Sequence, residues 1–135
     1  MIFRSCLLLS AVACYTSTAL NVKAAVGERV TLDLGAGDDG WRRERVRGLV
    51  EFIKRCGPGE TGPHCTNFVL PVPYERRVAE PRSDAYVTES GALVIRSMKA
   101  TDVGLYHTGQ PRGNAPEDVF SYFRNRPWLS LQLKD

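Results

Sequence analysis

The chain has 135 residues, of which 43% are apolar, which is enough for the core of one compact domain. Its formal net charge of +3 at pH 7 is too small to argue for a nucleic acid or an anionic membrane as its partner.

Residues 1–19 are predicted to be a secretory signal peptide. Arg4 precedes an apolar run over residues 6–14, which is too short to span a bilayer, and small residues follow it as a cleavage site. We therefore expect a single secreted domain over residues 20–135, beginning at Leu20. No membrane anchor is expected, because no later apolar run is long enough. The alternatives are a buried first strand, or a lipoprotein signal that ends at the second cysteine of the run.

The first clear strand signal lies over residues 29–34. Val30, Leu32 and Leu34 alternate with Thr31 and Asp33, which is the period-2 pattern of a strand with one buried face. A glycine-bearing loop follows it. Two aspartates in that loop, at positions 38 and 39, are interpreted as solvated carboxylates, because they lack the spacing of a calcium-binding loop.

Residues 41–54 allow two strand assignments. One strand runs through Trp41, and the other covers residues 49–55 with Phe52 as its large aromatic residue. We favour the second, because a long polar connection then precedes the strand and a glycine turn follows it. An amphipathic helix is the third alternative, and Gly48 in its middle argues against it.

A basic run accompanies Trp41 in this segment. Arg42, Arg43 and Arg45 could bind an acidic protein surface, a sulfated glycan or nucleic acid. A solvated loop is the plainer interpretation, and the nearly neutral chain argues against general polyanion binding. We expect no nucleic acid partner.

Cys56 and Cys65 are the only cysteines outside the predicted signal peptide. An even pair in an oxidising compartment indicates one disulfide, which would close a glycine-rich loop as a local link. His64 is adjacent, but three clustered candidates fall short of the four ligands of a structural zinc site. We expect the disulfide, with no metal and no cofactor.

Two further strands are predicted around a polar corner, and a last one at the C-terminus. Leu93 and Ile95 mark the first, and the second begins at Gly104, so that Tyr106 and His107 point to opposite faces. His107 is then an ordinary surface histidine. The last strand covers residues 128–133, with its leucines inward.

The corner resembles the E–F corner of an immunoglobulin-type domain, in which the pattern is L-x-I, a polar turn, then D-x-G-x-Y-x-C. Residues 27–34 resemble strand B of the same family, and Trp41 or Phe52 stands in the place of its buried strand-C tryptophan. The matching corner positions are Leu93, Ile95, Asp102, Gly104, Tyr106 and, in place of the cysteine, Thr108.

This resemblance implies an all-β, V-type immunoglobulin-like sandwich of two antiparallel sheets. The hydroxyl of Tyr106 is expected to bond to backbone upstream, and Asp102 is expected to pair with an arginine, for which Arg82 is best placed. Leu34 and Thr108 replace the two cysteines of the family's inter-sheet disulfide. The sheets must then be held together by burial alone.

The resemblance also implies a protein-recognition module that binds an extracellular or cell-surface protein partner. Two long loops are the first candidates for its binding surface, at residues 56–65 and 110–123. Exposed sheet edges leave a homodimer open as well. The candidate aromatic anchors in the second loop are Phe120, Tyr122 and Phe123.

The competing hypothesis is a small secreted cationic effector that binds polyanions or membrane surfaces through residues 41–47. An enzyme is not expected, because the sequence has no nucleophile elbow and no phosphate-binding loop. The two histidines, His64 and His107, do not complete a catalytic constellation with any nucleophile.

Overall fold

The computed structural model describes residues 19–35, 39–71, 73, 77–108 and 128–135. These residues form eight strands in two sheets, one short helix and one 3-10 turn. The elements are β1 (Ala19–Ala24), β2 (Val30–Leu32), β3 (Gly40–Val46), β4 (Leu49–Lys54), α1 (Pro63–Thr66), β5 (Ala85–Val87), β6 (Leu93–Ile95), the 3-10 turn (Ala100–Asp102), β7 (Gly104–Thr108) and β8 (Trp128–Leu133).

One sheet has five strands in the order β1-β8-β7-β3-β4, and the other has three in the order β2-β6-β5. The pair β1–β8 is parallel, and the remaining pairs are antiparallel. This confirms the predicted all-β architecture of two sheets. Within the described part of the chain, no helix is both long and apolar enough to cross a membrane.

Residues 40–54 fold into the hairpin β3–β4, in which the favoured strand over residues 49–55 is present as β4 and the alternative strand through Trp41 is present as β3. Trp41 lies in β3, which pairs with β7 on one side and β4 on the other, and its side chain is fully buried. Phe52 faces outward from β4 and is half-buried. The preference for Phe52 as the core aromatic was wrong. It treated the polar residues of β3 as a loop, whereas alternate residues of this strand point into the core and have partners there.

The core lies between the two sheets and is dominated by aliphatic and aromatic side chains. Burial of such surface is the main driving force for folding, at about 25 cal/mol per Å² of apolar area. Trp41 also donates a hydrogen bond from Nε1 to the carbonyl of Gly91, at 2.7 Å, so its one polar atom is satisfied. The largest fully buried apolar side chains include Leu32, Trp41, Ile53, Phe68, Leu93, Ile95, Met98, Tyr106 and Leu131.

The predicted disulfide between Cys56 and Cys65 is present, with 5.7 Å between the two Cα atoms. It closes the connection that leaves β4 and returns to Val69, which bridges to Phe52 of that strand. In the chain-entropy model, a bridge over so short a loop contributes about 2–3 kcal/mol to the free energy of unfolding. Because this disulfide links two residues of one connection, it does not join the two sheets, which are held together by their buried core.

Candidate binding face of the five-stranded sheet

The corner before β7 has the geometry that its sequence pattern predicts. The hydroxyl of Tyr106 donates a hydrogen bond to the carbonyl of Asp102, at 2.5 Å. A Cβ on Gly104 would lie 2.8 Å from the carbonyl oxygen of Glu44 in β3. The glycine therefore lets β7 approach the backbone of β3.

Asp102 takes its partners from other residues than predicted. Its Oδ1 accepts hydrogen bonds from the hydroxyl of Ser83 and from Nη1 of Arg43, the latter at 3.3 Å. Arg82 is exposed, and its Nε lies 4.0 Å from Glu80. The expected Arg82–Asp102 pair is therefore wrong: in the segment leading into β5, Ser83 points inward, and its neighbour Arg82 points to solvent.

Arg43 is the centre of a buried polar cluster inside the sandwich. Its Nε donates to Glu51 at 2.6 Å, and its Nη1 lies 3.2 Å from the Tyr106 hydroxyl. Its Cζ lies 3.9 Å from the centroid of the Phe68 ring, a cation–π contact. Nη2 is buried and has no hydrogen-bond partner within the described residues. Burial raises the pKa of Tyr106 to about 12.

Arg45 contributes to the same cluster from its edge. Its Nη2 lies 3.1 Å from Glu51, and its Nη1 donates to the carbonyls of Pro81 and Thr101. The expectation that Trp41 and Arg43 form an exposed surface is wrong, because both are fully buried. Of the four residues proposed in this segment, only Arg42 extends to the other side of the sheet.

Alternation along the strands creates an outer face on the five-stranded sheet. Arg43 and Tyr106 point into the core, so their neighbours along β3 and β7 point away from it. We define the outer face by eight half-buried residues of β3, β4, β7 and β8, namely Arg42, Glu44, Val50, Phe52, Leu105, His107, Ser130 and Trp128.

The strand registers order the outer face into two rows. Arg42 pairs with Phe52 on one side and with His107 on the other, and His107 pairs in turn with Trp128. Side chains at paired positions lie about 4.5–5.5 Å apart at Cβ, so these four form a continuous band. The parallel second row is Val50, Glu44, Leu105 and Ser130.

The first row places a guanidinium group among aromatic rings. The Cζ of Arg42 lies 4.4 Å from the centroid of the Phe52 ring, which orients the charge along the sheet. Burial lowers the pKa of His107 first of all, and the positive charge of Arg42 lowers it further, against a smaller opposite effect of the Thr108 backbone. The row therefore carries one fixed cation beside an imidazole that stays neutral at pH 7.

The lowered pKa of His107 predicts a pH dependence of stability. In the unfolded chain, His107 binds a proton near the ordinary histidine pKa of about 6.5, whereas in the native state it binds one only at lower pH. Protonation therefore favours the unfolded state, and the free energy of unfolding falls as the pH drops below that value. We expect His107→Asn to lose less stability than the wild type between about pH 8 and about pH 5. Urea denaturation at both pH values measures the difference, and an NMR titration of His107 gives its pKa directly. Superimposable pH profiles would contradict the prediction.

The remaining predicted site residues lie elsewhere or outside the described part of the chain. Leu34 packs against the core beyond the end of β2, and Thr108 is buried at the end of β7. The predicted aromatic anchors Phe120, Tyr122 and Phe123 lie outside the described residues, as does Asp38 of the carboxylate pair.

The outer face was missed from the sequence, although part of its signal was present. Alternation alone separates Arg42 from Arg43, and His107 from Tyr106, once the strands are assigned. The register that aligns Arg42 with His107 and Trp128 joins segments far apart in the chain, and no local pattern specifies it. Neither the known protein-family models nor the curated proteins contain a match to this sequence.

Proposed function

We propose that this chain is a secreted, V-type immunoglobulin-like recognition domain that binds an extracellular or cell-surface protein through the outer face. The observation that carries the proposal is the band of Phe52, Arg42, His107 and Trp128 across four strands. Aromatic and arginine side chains are enriched among the residues that contribute most of the binding energy in protein interfaces.

The strand order supports the immunoglobulin-like part of the proposal. A variable-type domain places strands G, F and C side by side and adds C′ at the edge, opposite a sheet that contains B, E and D. The orders β8-β7-β3-β4 and β2-β6-β5 agree with this arrangement. The Tyr106–Asp102 bond at the corner and the buried Trp41 in β3 agree with it too.

The chemistry of the outer face favours a particular kind of partner surface. The cation–π contact with Phe52 restricts the guanidinium group of Arg42, which lowers the side-chain entropy that a contact with an acidic group would cost. His107 and Trp128 continue the band with largely apolar ring surface. The partner that fits is a protein with an aspartate or glutamate set within an apolar patch.

The polyanion hypothesis receives less support from the same geometry. It required Trp41 and the arginines of residues 41–47 to act together, yet Trp41 and Arg43 are buried. Arg45 is engaged with Glu51 and two carbonyls. The remaining arginines of residues 41–47 are Arg42 and the exposed Arg47, which lie outside the core on different parts of the hairpin.

The test is a binding screen with a multimerised form of the chain. The panel consists of purified secreted proteins and receptor ectodomains, with heparin and anionic phosphatidylserine vesicles as separate arms. For a partner protein we expect Arg42→Glu to weaken binding at least ~30-fold, the effect of an interface arginine at the centre of a contact. The matched control is Arg47→Glu, which should change binding by less than about threefold.

The two hypotheses predict different outcomes of this experiment. Binding to heparin or vesicles, weakened equally by both substitutions and falling steeply with salt, would establish the polyanion function instead. A protein partner that is insensitive to Arg42→Glu would reject the outer face as the binding surface. No binding to any arm at micromolar concentrations of the multimer would count against the recognition function itself.

A further inference from the structure

The disulfide loop brings together a second set of chemically active side chains. The Sγ atoms of Cys56 and Cys65 and a ring nitrogen of His64 all lie within 4.8 Å of one another. Among the described residues, this is the one group of three or more histidine, cysteine or acidic side chains close enough to hold a metal ion. It lies in the connection that follows β4 and includes none of the outer-face residues, so it is independent of the proposed recognition function.

Local geometry explains why the three side chains converge. α1 is a single helical turn that carries His64 and Cys65 in succession, and the disulfide brings Cys56 to it. The imidazole of His64 lies over Gly62, where a Cβ would be only 2.7 Å from the ring. Any other residue at Gly62 would therefore displace the imidazole from the two sulfurs.

The loop also has hydrogen bonds of its own that do not depend on the disulfide. Cys65 and Asn67 donate backbone N–H groups to the carbonyls of Gly62 and Pro63, at 3.1 and 2.9 Å. The backbone N–H of Gly57 donates to the carboxylate of Glu60, which also binds Lys54. These contacts are expected to keep the loop in shape when the bond between the sulfurs is opened.

We propose that the reduced loop is a zinc site whose ligands are the thiolates of Cys56 and Cys65 and the imidazole of His64. The opening step is exchange with a dithiol reductant: the protein disulfide gains two electrons and becomes two thiols, while the dithiol becomes a disulfide. Binding of Zn²⁺ then releases the two thiol protons. The oxidised loop has no thiolate to offer, so the metal binds only in the reduced state.

The ligand set fits the coordination chemistry of zinc. Two thiolates and one imidazole are soft and borderline donors that zinc prefers, and a water molecule completes a tetrahedral site with three protein ligands. With Zn–S distances of about 2.3 Å, tetrahedral geometry places two sulfurs about 3.8 Å apart. The two sulfurs are bonded in the oxidised loop and must rotate apart to reach this separation, while the imidazole nitrogen already lies within 4.8 Å of both.

The test is a titration of the full chain with Co²⁺, a spectroscopic substitute for zinc, before and after reduction by a dithiol that is then removed under anaerobic conditions. We expect one metal ion per reduced chain, a thiolate-to-cobalt charge-transfer band, displacement by Zn²⁺, and no such band in the oxidised chain. His64→Ala should weaken binding at least ~10-fold, since loss of even a partner of a metal ligand costs about 10–100-fold. Glu80→Gln, which removes an exposed carboxylate elsewhere, is the control and should bind like the wild type.

Several outcomes would overturn the proposal. Equal affinity of His64→Ala and the wild type would remove the imidazole from the site, and a cobalt spectrum without the thiolate band would remove the sulfurs. Absence of binding by the reduced chain would reject the site altogether. Loss of the β-sheet circular dichroism on reduction would do so as well, because the proposal requires the loop to keep its fold. The double variant Cys56→Ser/Cys65→Ser must fold and fail to bind.

Discussion

The Arg43→Met variant is expected to have a free energy of unfolding about 3 kcal/mol below that of the wild type. Breaking a buried ion pair from one side costs about 3–5 kcal/mol, because the remaining charges stay buried without compensation. Here the lower end applies, since Arg45 still contacts Glu51 and Ser83 still contacts Asp102. Methionine keeps the packing volume beside Phe68, so the loss reports on the charge and its hydrogen bonds.

Urea denaturation measures this loss, with a substitution of an exposed arginine as the control and a double variant that tests the contact between Arg43 and Asp102. Arg47→Met, at an exposed position of the β3–β4 turn, should change stability by less than about 0.5 kcal/mol. Asp102→Asn combined with Arg43→Met should cost clearly less than the sum of the two single losses, because the two residues are in contact. Additivity of the single losses would contradict the assignment of Arg43 as the partner of Asp102.

The second large effect is expected from Trp41→Ala, with a loss of about 3–5 kcal/mol. The substitution leaves a cavity at the centre of the core, where Trp41 is fully buried, and deprives the carbonyl of Gly91 of its donor. We expect the variant to be marginally folded at room temperature, with a lowered urea midpoint and weakened near-ultraviolet circular dichroism.

Two comparison variants separate the contributions of Trp41. Trp41→Phe retains most of the apolar burial but loses the bond to Gly91, and should cost about 1–3 kcal/mol. Val46→Ala, at a position 63% exposed on the same strand, should be close to neutral. A loss at Trp41→Ala no larger than that at Val46→Ala would mean that β3 is not a core strand.

The strands of this fold are predictable where polar and apolar residues alternate and the corner chemistry is local. β2 and β8 follow the period-2 pattern, and the Tyr106–Asp102 bond joins residues only four positions apart. The strand through Trp41, β3, was not the favoured assignment because its inward positions include Arg43, which local patterning assigns to solvent. Its burial is explained only by Glu51 and Asp102, which tertiary folding brings to it.

The same limit applies to the sites. The Cys56–Cys65 bond was predicted because two cysteines admit only one pairing. Arg82 was named as the arginine partner of Asp102 from the family resemblance, whereas the arginine that contacts Asp102 is Arg43, which only tertiary folding brings to it. The outer face depends on register between β3, β7 and β8, which no local sequence pattern specifies.

The parallel pairing of β1 with β8 determines how the domain responds to tension. Ala19 is opposite Trp128 and Ala24 is opposite Leu133, so the two strands run side by side in the same direction over six residue pairs. Pulling Ala19 and Leu133 in opposite directions loads this ladder along its length, and its hydrogen bonds must yield together rather than one after another. Resistance of this kind is set by the unfolding rate rather than by equilibrium stability. A tether attached at these two ends would therefore hold against force better than one that peels an edge strand away from its end.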